Sequence, residues 1–139
     1  RIWRVQHKRA TKLPAVALDR ASTQELVAAL EHPNTCVRSN AQRLLVERGR
    51  NDSASIALTV LTEMSPSPEA RIAAGWTLHR VGVLPPLPAM LGDGSPTVRK
   101  AAARICQTGS SGPADECVAR LSECVLSGDD RTRLEALLA

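Results

Sequence analysis

The sequence predicts an all-α fold of stacked helix pairs, on three observations. The 139 residues contain no Phe, no Tyr and two Trp. A core must then come from Leu, Ala, Val and Ile, which suits closely packed helices better than strands, where aromatic and β-branched side chains are favoured. Apolar residues recur at helical spacing between short breaks rich in Pro, Ser and Gly. Lastly, one order of Arg, small and aliphatic residues returns several times along the chain. A chain of this length is one domain, large enough for a continuous core.

Residues 1–20 read as a basic leader and residues 21–139 as the helical domain. The stretch "RIWRVQHKRATK" at 1–12 holds five Lys/Arg and no acid, and a short extended segment is expected there. Ser22 and Glu25 have the spacing of a capping box, in which each side chain satisfies a backbone donor of the first turn. Leu26, Val27 and Leu30 then form one apolar stripe. His32, Pro33 and Asn34 break the chain, and the next helix runs to about Arg48 before Gly49, where left-handed backbone is commonly needed. The second pair is expected at about 53–64 and 68–81. Between them Ser67 serves as N-cap and Pro68 takes the first helical position, where its missing N–H costs nothing. A short helix at 84–91, with three prolines near its start, precedes one at 96–107 that reuses the Ser-Pro opening. The last pair, about 114–126 and 130–138, follows "TGSSGP".

The second helices align on Arg38, Arg71, Arg99 and Arg131, at separations of 33, 28 and 32 residues. Three places on stand Ala41, Ala74, Ala102 and Leu134; six on, Leu44, Thr77, Ile105 and Leu137; seven on, Leu45, Leu78, Cys106 and Leu138. These offsets share one helix face. A pair with one buried stripe per helix cannot cover that stripe alone, so neighbouring pairs must stack. Leu134, Leu137 and Leu138 would have no later pair above them, which predicts an exposed apolar C-terminal face or self-association through it.

The segment "DGSPTVRKAAARI" at 93–105 resembles the Asp, Val-Arg, Ala pattern of HEAT repeats. That resemblance implies a HEAT-like α-solenoid of about four antiparallel helix pairs, whose second helices face the concave side of a right-handed superhelix. A narrower likeness lies in "STQELVAALEHPN", "AQRLLVERG" and "ARIAAGWTLHRVG". They resemble the HEAT segment of large secreted bacterial proteins with a sorbosone-dehydrogenase-like propeller upstream and a cytochrome c module downstream. "RIWRV" at 1–5 is similar to the strand that closes such a propeller. The likeness covers nearly the whole chain, although the family usually has aromatic residues where Cys36 and Val37 stand and leucine in place of Gly75. It implies a piece of a larger periplasmic or secreted protein, acting as a spacer or docking arm, with a cytoplasmic location left open.

Charge and motifs narrow the functional classes. The net charge is +4, but with the five leader cations removed, 18 − 5 = 13 basic residues face 14 acidic ones over 13–139. A nucleic-acid-binding solenoid is expected to spread cationic charge over its working face, so the composition argues against nucleic acid as partner outside the leader. No apolar run approaches the roughly 20 residues of a membrane span. Cys36, Cys106, Cys117 and Cys124 include no C-x-x-C and no haem-attachment motif. Buried thiols, a Cys106–Cys117 disulfide and a metal site all remain open readings. His7, His32 and His79 share no ligand spacing, "TGSSGP" lacks the nucleophile-elbow spacing, and acids such as Asp129 and Asp130 sit at helix starts, where carboxylates favour the dipole. No cofactor, metal or catalytic residue is therefore assigned. The expected function is a non-catalytic scaffold for another protein or a neighbouring domain. The alternatives are a HEAT-like alkylpurine glycosylase, which needs a basic cleft holding a catalytic acid, and a lyase-like chaperone of cofactor attachment.

A working face follows from helix phase. Five places after the aligned arginines come Arg43, Trp76 and Arg104, about 150° from the centre of the buried stripe at 100° per residue. His79, Arg80 and Lys100 lie beside them. These six residues are the candidate partner-binding set, with guanidinium groups expected over the Trp76 ring and carboxylates expected on the partner. The competing expectation is that Trp76 fills a groove between adjacent pairs, where Gly75 leaves room.

Overall fold

The computed structural model describes residues 17–108, 115–127 and 130–137. Most of the leader, the "GSSGP" stretch and Leu138 lie outside them, so the extended leader does as well. The described residues form eight helices: α1 (Thr23–Ala29), α2 (Thr35–Arg48), α3 (Asp52–Met64), α4 (Pro68–Arg80), α5 (Leu87–Leu91), α6 (Pro96–Gln107), α7 (Asp115–Ser127) and α8 (Asp130–Leu137). No strand occurs among them. None of these helices is long and apolar enough to cross a membrane.

The caps fall where the local chemistry requires. Ser22 Oγ accepts from the Glu25 N–H at 3.2 Å while the Glu25 carboxylate accepts from the Ser22 N–H at 2.6 Å. Those reciprocal bonds hold the carboxyl of Glu25 below its ordinary value, the backbone donor of Ser22 contributing most and its hydroxyl next. Ser67 caps α4 with Pro68 at its start, and Gly49 ends α2 at φ 75°. Gly82, just past α4, takes φ 77°, a second left-handed position that only glycine adopts without strain. One expected boundary moves. The 84–91 helix begins at Leu87, because Pro85 and Pro86 lack donors and each disfavours helical backbone in the residue before it.

The helices form two layers. The second helices pack in order, α2 on α4, α4 on α6 and α6 on α8, while α1, α3, α5 and α7 do the same beside them. Two apolar clusters fill the space between. One joins Leu26, Leu30, Leu45, Leu58 and Leu78 across α1–α4, and the other joins Met90, Leu91, Val98, Ile105 and Leu121 across α5–α7. Gly75 lets α4 approach α5, since a Cβ there would lie 2.6 Å from Met90 Cε.

The aligned arginines fasten the turns that precede their own helices. Arg38 donates to the carbonyls of His32 and Pro33, Arg71 to that of Ser65, and Arg99 to those of Asp93 and Gly94. In each turn the residue whose carbonyl is taken also accepts, through its side chain, from the N-cap N–H two places on: His32 from Asn34, Ser65 from Ser67 and Asp93 from Ser95. Adjacent turns are linked in series. Ser65 Oγ donates to Glu31 at 2.6 Å, and the Arg71 guanidinium meets the Asp93 carboxylate at 2.8 and 2.9 Å, with both side chains largely buried. The backbone donors and acceptors of three breaks are thus satisfied by one repeated device.

The fourth column is corrected. In α8 the buried positions are Thr132 and Ala136, while Leu134 is 58% and Leu137 68% exposed. Thr132 and Ala136 correspond to Val98 and Ala102 of α6, both fully buried, so Arg133 rather than Arg131 occupies the arginine column. Consistently, Arg133 Nε donates to the Val125 carbonyl behind its own helix. The threonine hydroxyl tolerates burial because Pro96 O lies 3.5 Å away. Leu134 and Leu137 lie off the face of α8 that packs on α6 and are exposed.

Candidate functional site

Formal charge divides between the layers. Helices α2, α4, α6 and α8 hold ten Lys/Arg against four Asp/Glu, the excess lying in α2, α4 and α6, whereas α1, α3, α5 and α7 hold six Asp/Glu against one Arg. The near-neutral total over 13–139 thus hides an opposed formal charge on the two sets of helices. Arg38, Arg71 and Arg99 are turned to the loop carbonyls, and Arg43 pairs with Glu47 one helical turn on. Arg80 makes no ion pair among the described residues and is exposed, as is Arg104.

A cleft of about 390 Å³ opens between α2 and α4, lined by Arg38, Ser39 and Gln42 on one side and Glu69, Ile72, Ala73, Trp76 and Arg80 on the other. Two helices packed at this spacing leave a groove only where facing side chains are small or drawn aside. Here Ser39 and Ala73 are short, and the Arg38 guanidinium is drawn towards the loop carbonyls. Gln42 Nε2 donates to the Ala73 carbonyl at 3.3 Å and bridges the floor. At the N-terminal end of α4, hydrogen bonding keeps the Glu69 carboxyl below its ordinary value, first from its own backbone N–H and then from the Ser67 hydroxyl, with Arg38 and Arg71 adding to the effect. At the opposite end stands Arg80.

Trp76 is held from behind. One part of its ring packs, with Ile72 and Cys106, against the α5–α7 cluster, and His79 meets it edge to face with centroids 5.7 Å apart and planes at 75°. His79 Nε2 lies 2.9 Å from the Thr108 hydroxyl, which itself donates to Ile105 O. The remaining part of the indole faces the cleft.

Of the six residues expected to form the working face, the cleft brings together Trp76 and Arg80, with His79 bracing Trp76 from the other side. Arg43, Lys100 and Arg104 lie on α2 and α6 and do not line it. The ring neighbour of Trp76 is an imidazole rather than a guanidinium. Trp76 packs against the cluster behind it on one side and lines an open cleft on the other. Arg38, Gln42 and Glu69 were outside the expected set. Arg38 and Glu69 carried signals for packing and helix capping, and Gln42 carried none.

The other chemistry stays apart. Cys36 is exposed, Cys106 half-buried, and Cys124 buried with its thiol 3.6 Å from the Leu91 carbonyl. The Cys117 side chain, and with it the Cys106–Cys117 alternative, lies outside the described residues. Among those residues no three His, Cys, Asp or Glu side chains converge on a metal-sized site. Compared with protein-family models, curated proteins and solved structures, the chain matches none.

Proposed function

We propose that the chain is a HEAT-like α-solenoid of four antiparallel helix pairs that acts as a non-catalytic interaction scaffold, with the second-helix layer as its contact face. The observation that carries this reading is the cleft between α2 and α4, with Trp76 and Arg80 open to solvent on the cationic layer. A pre-held indole beside a guanidinium with no ion pair among the described residues is the kind of anchor that dominates protein interfaces. The partner is an acidic protein segment, from another chain or from a neighbouring domain of a larger, extracytoplasmic parent.

Hydrogen exchange of the whole chain with and without poly-L-glutamate tests the reading. Slowed exchange in α2, α4 and α6, with α1 and α3 unchanged, is expected. Protection confined to α1 and α3, or none anywhere, overturns it.

One observation favours the glycosylase alternative, since the cleft is lined by Arg38 and Arg80 and contains an acid, Glu69. Against it, Glu69 is exposed and hydrogen-bonded to its own cap, and its carboxyl is shifted down. A general base of matched pKa needs the opposite shift. Release of a modified base from alkylated duplex DNA by the purified chain would reinstate the enzyme reading.

A further inference from the structure

We infer that the α2/α4 cleft is an anchor pocket for one apolar side chain of an acidic, extended protein segment, with a carboxylate next to that side chain placed on Arg80. The inference rests on the scaffold reading and specifies what the contact face selects.

Shape and lining set the class of occupant. At about 390 Å³ the cleft lies near the lower end of the range for ligand pockets, which suits a single anchoring side chain rather than a folded surface. Its middle is apolar, made by Ile72, Ala73 and Trp76, and its ends are charged. Trp76 and Arg80 are one helical turn apart, about 6 Å along α4. Successive residues of an extended segment advance by about 3.3 Å, so a carboxylate one or two residues from the anchor reaches the guanidinium. Gln42 uses its amide N–H on Ala73 and leaves its oxygen as an acceptor for a backbone N–H of the occupant. The ring of Trp76 is fixed before binding by the chain His79, Thr108 and Ile105 O, so little rotamer entropy is lost when the pocket fills.

Charge then selects the sign. Arg80 has no ion-pair partner among the described residues, and the only acid lining the cleft, Glu69, sits at the other end beside Arg38. The second-helix layer around the cleft is cationic. An acidic segment is attracted by this field and a basic one is repelled.

Trp3→Phe makes Trp76 the sole indole, so its fluorescence reports occupancy in the full chain. The probes are acetyl-Asp-Glu-Leu-Asp-Glu-amide, the same peptide with Ala for Leu, a Lys-Lys-Leu-Lys-Lys counterpart, and a 12-base-pair duplex. The acidic Leu peptide should bind about tenfold more tightly than the Ala peptide, the scale expected for burying one aliphatic side chain. Ser39→Tyr, which fills the cleft from an exposed position, should abolish that preference, and Arg80→Gln should weaken the acidic Leu peptide several-fold. Equal affinities for the Leu and Ala peptides, with both bound, overturn the pocket while leaving the scaffold reading intact. No binding of either acidic peptide overturns both. Tighter Trp76-reported binding of the duplex or of the basic peptide also overturns the pocket. Circular dichroism checks that Ser39→Tyr remains folded; if it does not, Gln42→Leu, which removes both the donor to Ala73 O and the acceptor offered to the occupant's backbone, replaces it and should weaken the acidic Leu and Ala peptides alike by several-fold, unchanged affinities overturning the pocket.

Discussion

The two helix layers of this protein share one packing rule and differ in what they show to solvent. In the first-helix layer the outward face of α3 carries Ile56, Val60 and Met64, at 68, 54 and 75% exposed, among acidic helices. In the second-helix layer α2, α4 and α6 carry the cationic excess and frame the cleft against Trp76, while α8 exposes Leu134 and Leu137. The periodicity that makes both layers stack therefore says nothing about which is used. The distinction lies in charge and in whether apolar area is shaped. Three scattered aliphatic side chains on a helix make a stripe, whereas Ile72, Ala73 and Trp76 make a wall with a charged group at each end.

Four perturbations sharpen that contrast, in falling order of effect. Inserting an arginine should divide core from surface. Ala102→Arg places a charge at a fully buried contact of α6 and should cost about 4 kcal/mol or more, seen as loss of a cooperative thermal transition. Ile56→Arg in the other layer should change stability by less than about 0.5 kcal/mol.

Asp93→Ala should cost about 3 kcal/mol in denaturant unfolding, because it strands the largely buried Arg71 guanidinium and opens the turn before α6. Glu31→Ala, which removes only the acceptor of Ser65 Oγ, should cost about 1 kcal/mol. A third test addresses the joint between layers. Gly75→Leu should lose about 2 kcal/mol through overpacking against Met90. Gly75→Ala should stay within about 1 kcal/mol of the parent, because the flexible end of Met90 moves aside while helix propensity improves.

The smallest effect concerns acid. Glu25 has a folded-state carboxyl lowered from its ordinary 4.5, so its contribution is fully present above that value and lost as pH falls through the folded one. Glu25→Gln should be less stable near neutrality and decline less steeply below about pH 4.5. Ser22→Ala should have a weaker version of the same effect, since the backbone donor of Ser22 remains. Chemical denaturation across pH measures both.

Much of the helical order is legible in the sequence because caps and breakers act locally. The Ser22–Glu25 box, Ser67-Pro68 and Gly49 mark their boundaries within a few residues. The first three arginine columns are legible as spacing. Their role is not, because a guanidinium reaching a carbonyl six residues back depends on the path of the turn. The fourth column is misread because Arg131 and Arg133 compete for it, and three leucines favour the first. Burial depends on α6, whose face accepts the smaller Thr132 and Ala136. Trp76 and Arg80 can be marked from helix phase alone. Ser39, Gln42 and Glu69 cannot, since the cleft arises from the rotation of α2 against α4, some 30 residues apart. The charge division escapes composition altogether, because summing over alternating helices cancels it.

The central claim, that the second-helix layer is the contact face, is tested most directly by removing the same charge from two places. Arg80→Gln with Arg104→Gln takes two exposed cations from that layer. Arg20→Gln with Arg50→Gln takes two from outside it, both side chains well exposed. Affinity of each double variant for poly-L-glutamate, by titration calorimetry at fixed ionic strength, separates position from net charge. A loss of about tenfold or more in the first variant, with less than about twofold in the second, is the expected result. Equal losses in the two, or a larger loss in the second, would contradict the account.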